Sequence, residues 1–178
     1  SADALGYPES YYTPPPEGLE EIQILRGAAS LQYGTQFGGL INFKIKEPKP
    51  EDIFELITRN TAGSNNLFTN FTSLSSSNKK SSYYGYVNYK KGDGFRPNSE
   101  FESINTFQNF NYNLNEKSKI LGEITYMEYL AHQAGGLSDF MFANDPFQSN
   151  RERNWFEIKW FLYNCLLYTS DAADDLLC

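Results

Sequence analysis

From residue 53 onward the chain alternates apolar and polar side chains in segments of about ten residues, and this period of two limits the fold more than any other feature. In the segment 102–114, Ile104, Phe110, Tyr112 and Leu114 share one parity, while Asn105, Asn109, Asn111 and Asn113 share the other. A helix would scatter both sets around its circumference; a strand sorts them onto two faces. The segment 119–131 sets Ile120, Gly122, Ile124 and Tyr126 against Glu123 and Thr125, and 154–161 sets Phe156, Ile158 and Trp160 against Glu157 and Lys159. Three further segments, 53–62, 66–74 and 82–91, are bounded by Gly, Ser and Asn turns, so six strands are predicted. Their connections alternate between short and long. The count of 14 Phe and 13 Tyr against 2 Met agrees with strands rather than a helical bundle.

Two all-β architectures produce this pattern. A soluble sandwich alternates because one face of each sheet is buried, and a membrane barrel alternates because one face meets lipid and the other a wet lumen. The second face here is amide-rich and charged, and Tyr and Trp stand near strand ends where interfacial girdles sit, which favours the barrel. A mean hydropathy of −0.55 is compatible, because the lumenal half of each strand is polar. No apolar run approaches the roughly 18 residues of a spanning helix. The net charge of −7 argues against nucleic acid, whose binding needs clustered cations that displace counterions.

The first 47 residues have a different texture. Pro14-Pro15-Pro16 precedes a short strand, Ile22-Gln23-Ile24-Leu25; a small-residue stretch from Gly27 to Gly34 suits one or two helical turns, and Leu40 to Lys46 alternates as a return strand. Pro48 and Pro50 lack the N–H that a ladder needs, so 48–52 reads as a linker. After Asn164 the alternation is lost: residues 165–178 resemble the in-frame translation of a sequencing-library adapter and are expected to be a non-native tail. Both cysteines, Cys165 and Cys178, lie in it, so they imply no disulfide framework. The chain also opens on Ser1 without Met, and a fragment at both ends is expected.

The run from Glu21 to Phe43 closely resembles the end of the plug domain of TonB-dependent outer-membrane receptors. It combines a strand leading into Arg26-Gly27, the turn Ser30-Leu31-Gln32-Tyr33-Gly34 and the return Gly38-Gly39-Leu40-Ile41-Asn42, in the family's order and spacing. Asp93-Gly94-Phe95-Arg96-Pro97-Asn98-Ser99 resembles the family's second extracellular loop region. The resemblance covers about residues 17–164. It implies the C-terminal part of a plug (1–47), the linker (48–52) and the leading strands of a transmembrane β-barrel (53–164), with the coupling box, the first half of the plug and most strands lying outside the sequence. Such a barrel needs about 22 strands, so six cannot close it.

The family's activity implies import: a plugged barrel in the outer membrane of a Gram-negative bacterium binds a scarce nutrient outside, and a TonB-type periplasmic energy-transducing protein pulls on the plug. Arg26 would then pair with barrel glutamates, the alternative being a plain solvated charge, and Gly27, Gly34, Gly38 and Gly39 would permit tight turns and close backbone approach. The long loop around Gln133-Ala134-Gly135-Gly136 and Arg151-Glu152-Arg153 resembles the ferric-dicitrate branch. Iron citrate would be transported ligand rather than cofactor; it is anionic and oxygen-rich, which suits Arg forks and amides, and the candidates are Gln36, Arg96, Gln133, Arg151 and Arg153. Each has an alternative as an ordinary rim residue. His132 stands near Glu128, but two ligands are too few for a metal site. No nucleophile–base pair or phosphate loop points to an enzyme. Two competing functions remain: a glycan importer of the same superfamily, and a soluble carbohydrate-binding sandwich in which Tyr83, Tyr84 and Tyr86 would stack on sugar rings.

Overall fold

A computed structural model describes residues 13–27, 39–48 and 54–169. The chain divides into two compact units, Ser1–Glu47 and Pro48–Cys178. The described part is all-β, two antiparallel sheets with one 3-10 turn and one short α-helix. Among the described residues no helix is long and apolar enough to cross a membrane, which says nothing about strands.

In the first unit a 3-10 turn at Pro16–Gly18 leads into β1 (Leu19–Leu25), which pairs antiparallel with β2 (Leu40–Ile45). The register Ile22↔Phe43 and Ile24↔Ile41 is extended by Lys46 N–H, which donates to Gly18 O at 2.9 Å. Gly39, just before β2, has φ +128°, and a Cβ there would lie 2.5 Å from Leu25 O. The return of the chain alongside β1 therefore requires glycine at this position.

The second unit is a six-stranded antiparallel meander in sequence order: β3 (Glu55–Ala62), β4 (Phe68–Ser77), β5 (Ser81–Gly92), β6 (Phe101–Asn115), β7 (Ser118–His132) and β8 (Trp155–Thr169). The connections at one end are tight. Asn78 Oδ1 accepts from the Lys80 and Ser81 amides, each at 2.9 Å, and Asn115 Oδ1 accepts from Lys117 N–H at 2.8 Å, so a short amide side chain closes each turn. At the other end stand the turn 63–67 and the longer loops 93–100 and 133–154. Asn65 and Asn66 carry φ of 55° and 54°, which bends the first of these in the sense that suits twisted strands.

The register assigns every residue to a face. All the buried side chains within the six strands fall on one: Phe71, Ser73 and Ser75 of β4, Tyr84, Tyr86 and Asn88 of β5, Asn105, Phe107 and Asn109 of β6, and Met127 of β7. Its centre is an aromatic row across three strands, with Phe71 and Phe107 centred 5.6 and 5.8 Å from the Tyr86 ring. Polar groups flank that row: Asn109 Nδ2 donates to Glu123 Oε1 at 3.0 Å, and Asn111 Nδ2 to Asn109 Oδ1 at 2.6 Å. The opposite, open face carries Phe110, Ile120, Ile124, Phe161 and Leu167.

Three details depart from the sequence-based expectation. The apolar set of the last strand, Phe156, Ile158 and Trp160, pairs with Ala131, Tyr129 and Met127, so it lies on the buried face and not with Ile120 and Ile124. Parity within one strand identifies two faces, but only register says which is which. Second, β8 runs on to Thr169, past the expected boundary at Cys165, because β7 offers ladder partners as far as Ser118 and Leu166, Leu167 and Tyr168 suit a strand. Third, the long loop contains a helical turn, α1 (Asp139–Asn144), capped by Ser138, whose Oγ accepts from Met141 N–H at 3.3 Å.

Candidate functional site

Three of the five ligand candidates expected from sequence lie at the long-loop end of the sheet on residues 133–154, and Arg96 faces them from the loop 93–100. That loop clamps the longer one. The Arg96 guanidinium donates through Nε to Gln148 O at 2.9 Å and through a terminal nitrogen to Gly135 O at 2.9 Å and Ala134 O at 3.4 Å. Asn98 Nδ2 lies 3.1 Å from Gln133 O, 2.9 Å from Arg151 O and 3.1 Å from Asn154 O. Asn98 holds φ 56°, a left-handed conformation that Asn tolerates better than most residues. Two side chains thus tie together chain segments that are remote in sequence.

This geometry changes the part that Arg96 can play. A guanidinium has five N–H donors in a fixed fork, and here the fork is directed at backbone carbonyls rather than at an open cleft. Arg96 is a loop-positioning residue in this arrangement. Gln133 is also engaged through its backbone, its N–H donating to Asn154 O at 2.9 Å, while its side chain stays exposed. Arg151 and Arg153 are exposed on the same segment beside Asn150 and Asn154, around one shallow depression. These two cations and the exposed Gln133 side chain are therefore the candidates still open to an anionic ligand, with Glu152 lining the same depression. Gln36 lies outside the described residues.

Sequence reasoning missed a larger depression of about 700 Å³ at the same end, lined among others by Asn66, Lys91, Asp93, Glu100, Glu102 and His132. Its carboxylates, Asn66 and His132 are already partnered: Asn66 Nδ2 donates to the Asp93 carboxylate, Tyr89 OH donates to Glu102 Oε1 at 2.8 Å, and His132 Nδ1 lies 3.2 Å from Glu100 Oε2. The carboxylate beside His132 is thus Glu100 and not Glu128. Glu128 accepts from Tyr126 OH at 2.9 Å and pairs with Lys159 at 2.8 Å. Among the described residues no group of three His, Cys, Asp or Glu is placed to hold a metal ion. The signal that could have revealed this rim is register, since these side chains are spread over three strands and two connections.

Aromatic side chains also cluster on the loops. Phe140 and Phe142 of α1 are 77% and 62% exposed, with Phe147 at 61% and Phe95 at 70%. Against that, two of the tyrosines invoked for sugar stacking are unreachable: Tyr84 and Tyr86 are 4% and 1% exposed, and Tyr83 donates its hydroxyl to Gln108 Oε1 on the other face.

In the first unit, Arg26 is exposed at the end of β1 and, among the described residues, pairs with no carboxylate. Gly27 follows it with φ +66° and nothing within 4 Å of where a Cβ would stand. Gly39 makes the close approach described above. Gly34 and Gly38 lie outside the described residues. No family model matches this sequence, and neither does any curated protein.

Proposed function

We propose that this chain is part of a TonB-dependent outer-membrane receptor, comprising the end of its plug and its leading barrel strands, and that it imports a ferric chelate of the citrate or siderophore type. One observation supports the reading most directly: six strands follow one another in a single antiparallel sheet whose connections are tight at one end and long at the other. That asymmetry is the pattern of outer-membrane barrels, with short periplasmic turns and long external loops. The β1–β2 hairpin, whose return depends on Gly39, agrees with the plug resemblance of residues 21–43. Under this reading the long loops face outward, and Arg151 and Arg153 offer charge-assisted donors to a carboxylate-rich chelate.

Uptake of radiolabelled ferric citrate tests it, measured in receptor-deficient Gram-negative cells that express the gene encoding this sequence. Uptake should require the energy-transducing partner and should fall about tenfold in Arg151→Ala/Arg153→Ala, the scale of one lost charge-assisted hydrogen bond. Uptake that ignores the partner would overturn the reading. A glycan importer is the second reading, favoured by the exposed Phe95, Phe140, Phe142 and Phe147. It predicts oligosaccharide uptake that is insensitive to Arg151 and Arg153 and lost on replacing Phe140 and Phe142.

A further inference from the structure

The polarity of the open face changes sharply along the strands. From the row Val87–Thr106–Tyr126–Phe161 toward the short turns, β5 to β8 place no charged residue on that face as far as Tyr112–Ile120–Leu167. The two rows on the loop side are charged: Lys91, Glu102, Glu128, Glu157 and Lys159 all stand there. On β7 and β8 the other face is apolar at the loop side, with Met127, Trp160, Tyr129 and Ile158, and mixed at the turn side, with Glu123 and Asn164 beside Leu121, Leu162 and Leu166.

We propose that lipid acyl chains cover the open face only on the turn side of the Tyr126–Phe161 row, and that the loop-side ends of β5 to β8 stand beyond the hydrocarbon, among head groups and water. This rests on the reading of the sheet as part of an outer-membrane barrel. Three observations carry it. The first is charge: Lys159 lies 2.8 Å from Glu128 and 3.0 Å from Glu157, and such a cluster belongs outside the hydrocarbon. The second is the pair of tyrosines at the boundary. Tyr126 and Tyr89 direct their hydroxyls to Glu128 and Glu102, so each carries an apolar ring and a polar tip, the habit of interfacial aromatics. The third is height. From Thr106 to Leu114 the charge-free stretch of β6 measures about 26 Å along the strand, or about 20 Å at the roughly 40° tilt of barrel strands, close to the apolar belt of about 25 Å in such proteins. Polar groups within the belt find partners there: Thr58 and Thr72 Oγ1 are 3.1 Å apart, and Tyr83 OH donates to Gln108.

Single-cysteine variants test the boundary, made in the complete receptor from the gene encoding this sequence with its other cysteines replaced by serine, labelled with a polarity-sensitive fluorophore and inserted in phosphatidylcholine vesicles. Ile124→Cys and Phe161→Cys should be quenched by nitroxide on the acyl chains about threefold more strongly than Glu102→Cys and Glu157→Cys, with the reverse order for aqueous iodide. Tyr163→Cys and Lys91→Cys provide a second pair should any of these fail to fold. Equal acyl-chain quenching on both sides of the Tyr126 row would overturn the boundary while leaving the membrane reading intact. Absence of acyl-chain quenching at every open-face position would overturn both.

Discussion

Asn98 concentrates much of what the loops depend on. Its amide has two N–H donors facing three carbonyl oxygens within 3.1 Å, so the donors are shared among them, and its backbone is left-handed. Replacing Asn98 by Asp substitutes an acceptor for the donor and sets a carboxylate among carbonyl oxygens. Amide hydrogen exchange across 133–154 should therefore accelerate by one to two powers of ten, the equivalent of about 1–3 kcal/mol of local stability, with Asn98→Gly intermediate because it keeps the conformation and loses only the bonds. Unchanged exchange in Asn98→Asp would mean that the loop is held elsewhere. Such a role could not be read from sequence. Asn98 and Arg96 stand in a stretch that reads as turn-forming and cationic, and the carbonyls they hold lie 35 to 56 residues away. Arg96 was expected on a ligand because guanidinium forks suit carboxylates, but the same fork also suits backbone oxygens. Arg151 and Arg153 carried no better signal in the sequence, and they are distinguished now only by being exposed.

At the scale of elements the sequence was far more legible, because period two is a property of each strand alone. The six strands of the sheet and the β1–β2 hairpin follow from alternation and from Gly, Asn and Pro at their ends. What alternation could not supply was the relation between strands: β8 carries its apolar parity to the opposite face from β7 because the pairing Met127↔Trp160 requires it. The turn of α1 was hidden for another reason, since six residues are too few for a helical period to emerge and only the Ser138 cap announces it. The two faces make different demands on similar residues. Phe107 is 8% exposed in the aromatic row with Tyr86, whereas Phe110, three residues on, is 46% exposed on the open face. Phe107→Ala should lower the unfolding free energy in detergent by about 3 kcal/mol, and Phe110→Ala by less than about 1 kcal/mol. Denaturant titrations with tryptophan fluorescence would measure both. Equal losses would mean that the open face is as tightly packed as the buried one.

For the whole molecule, the question is whether this sheet is built for water. Among the described residues β3 and β8 each have a single neighbour, so each presents a row of unpaired N–H and C=O groups. The open face adds a continuous apolar surface: Phe161, Tyr163 and Leu167 are 64%, 61% and 62% exposed on β8 beside Ile120 and Ile124 of β7. Soluble monomers rarely expose apolar patches beyond a few hundred Å², and a net charge of −7 cannot disperse a surface on which the charges are confined to the rims. A soluble sandwich would resolve both problems by laying a second sheet on one face, yet the strands of this unit form one continuous sheet in chain order. The 178-residue chain should accordingly self-associate in water and remain dispersed in a mild detergent, because detergent covers the belt that lipid would cover. Sedimentation velocity with and without detergent separates the outcomes. Large, heterogeneous species in buffer that collapse to a narrow boundary in detergent are expected; a narrow monomer boundary in buffer alone would mean that the apolar belt is satisfied within the chain, and the case for a lipid-facing surface would fall with it.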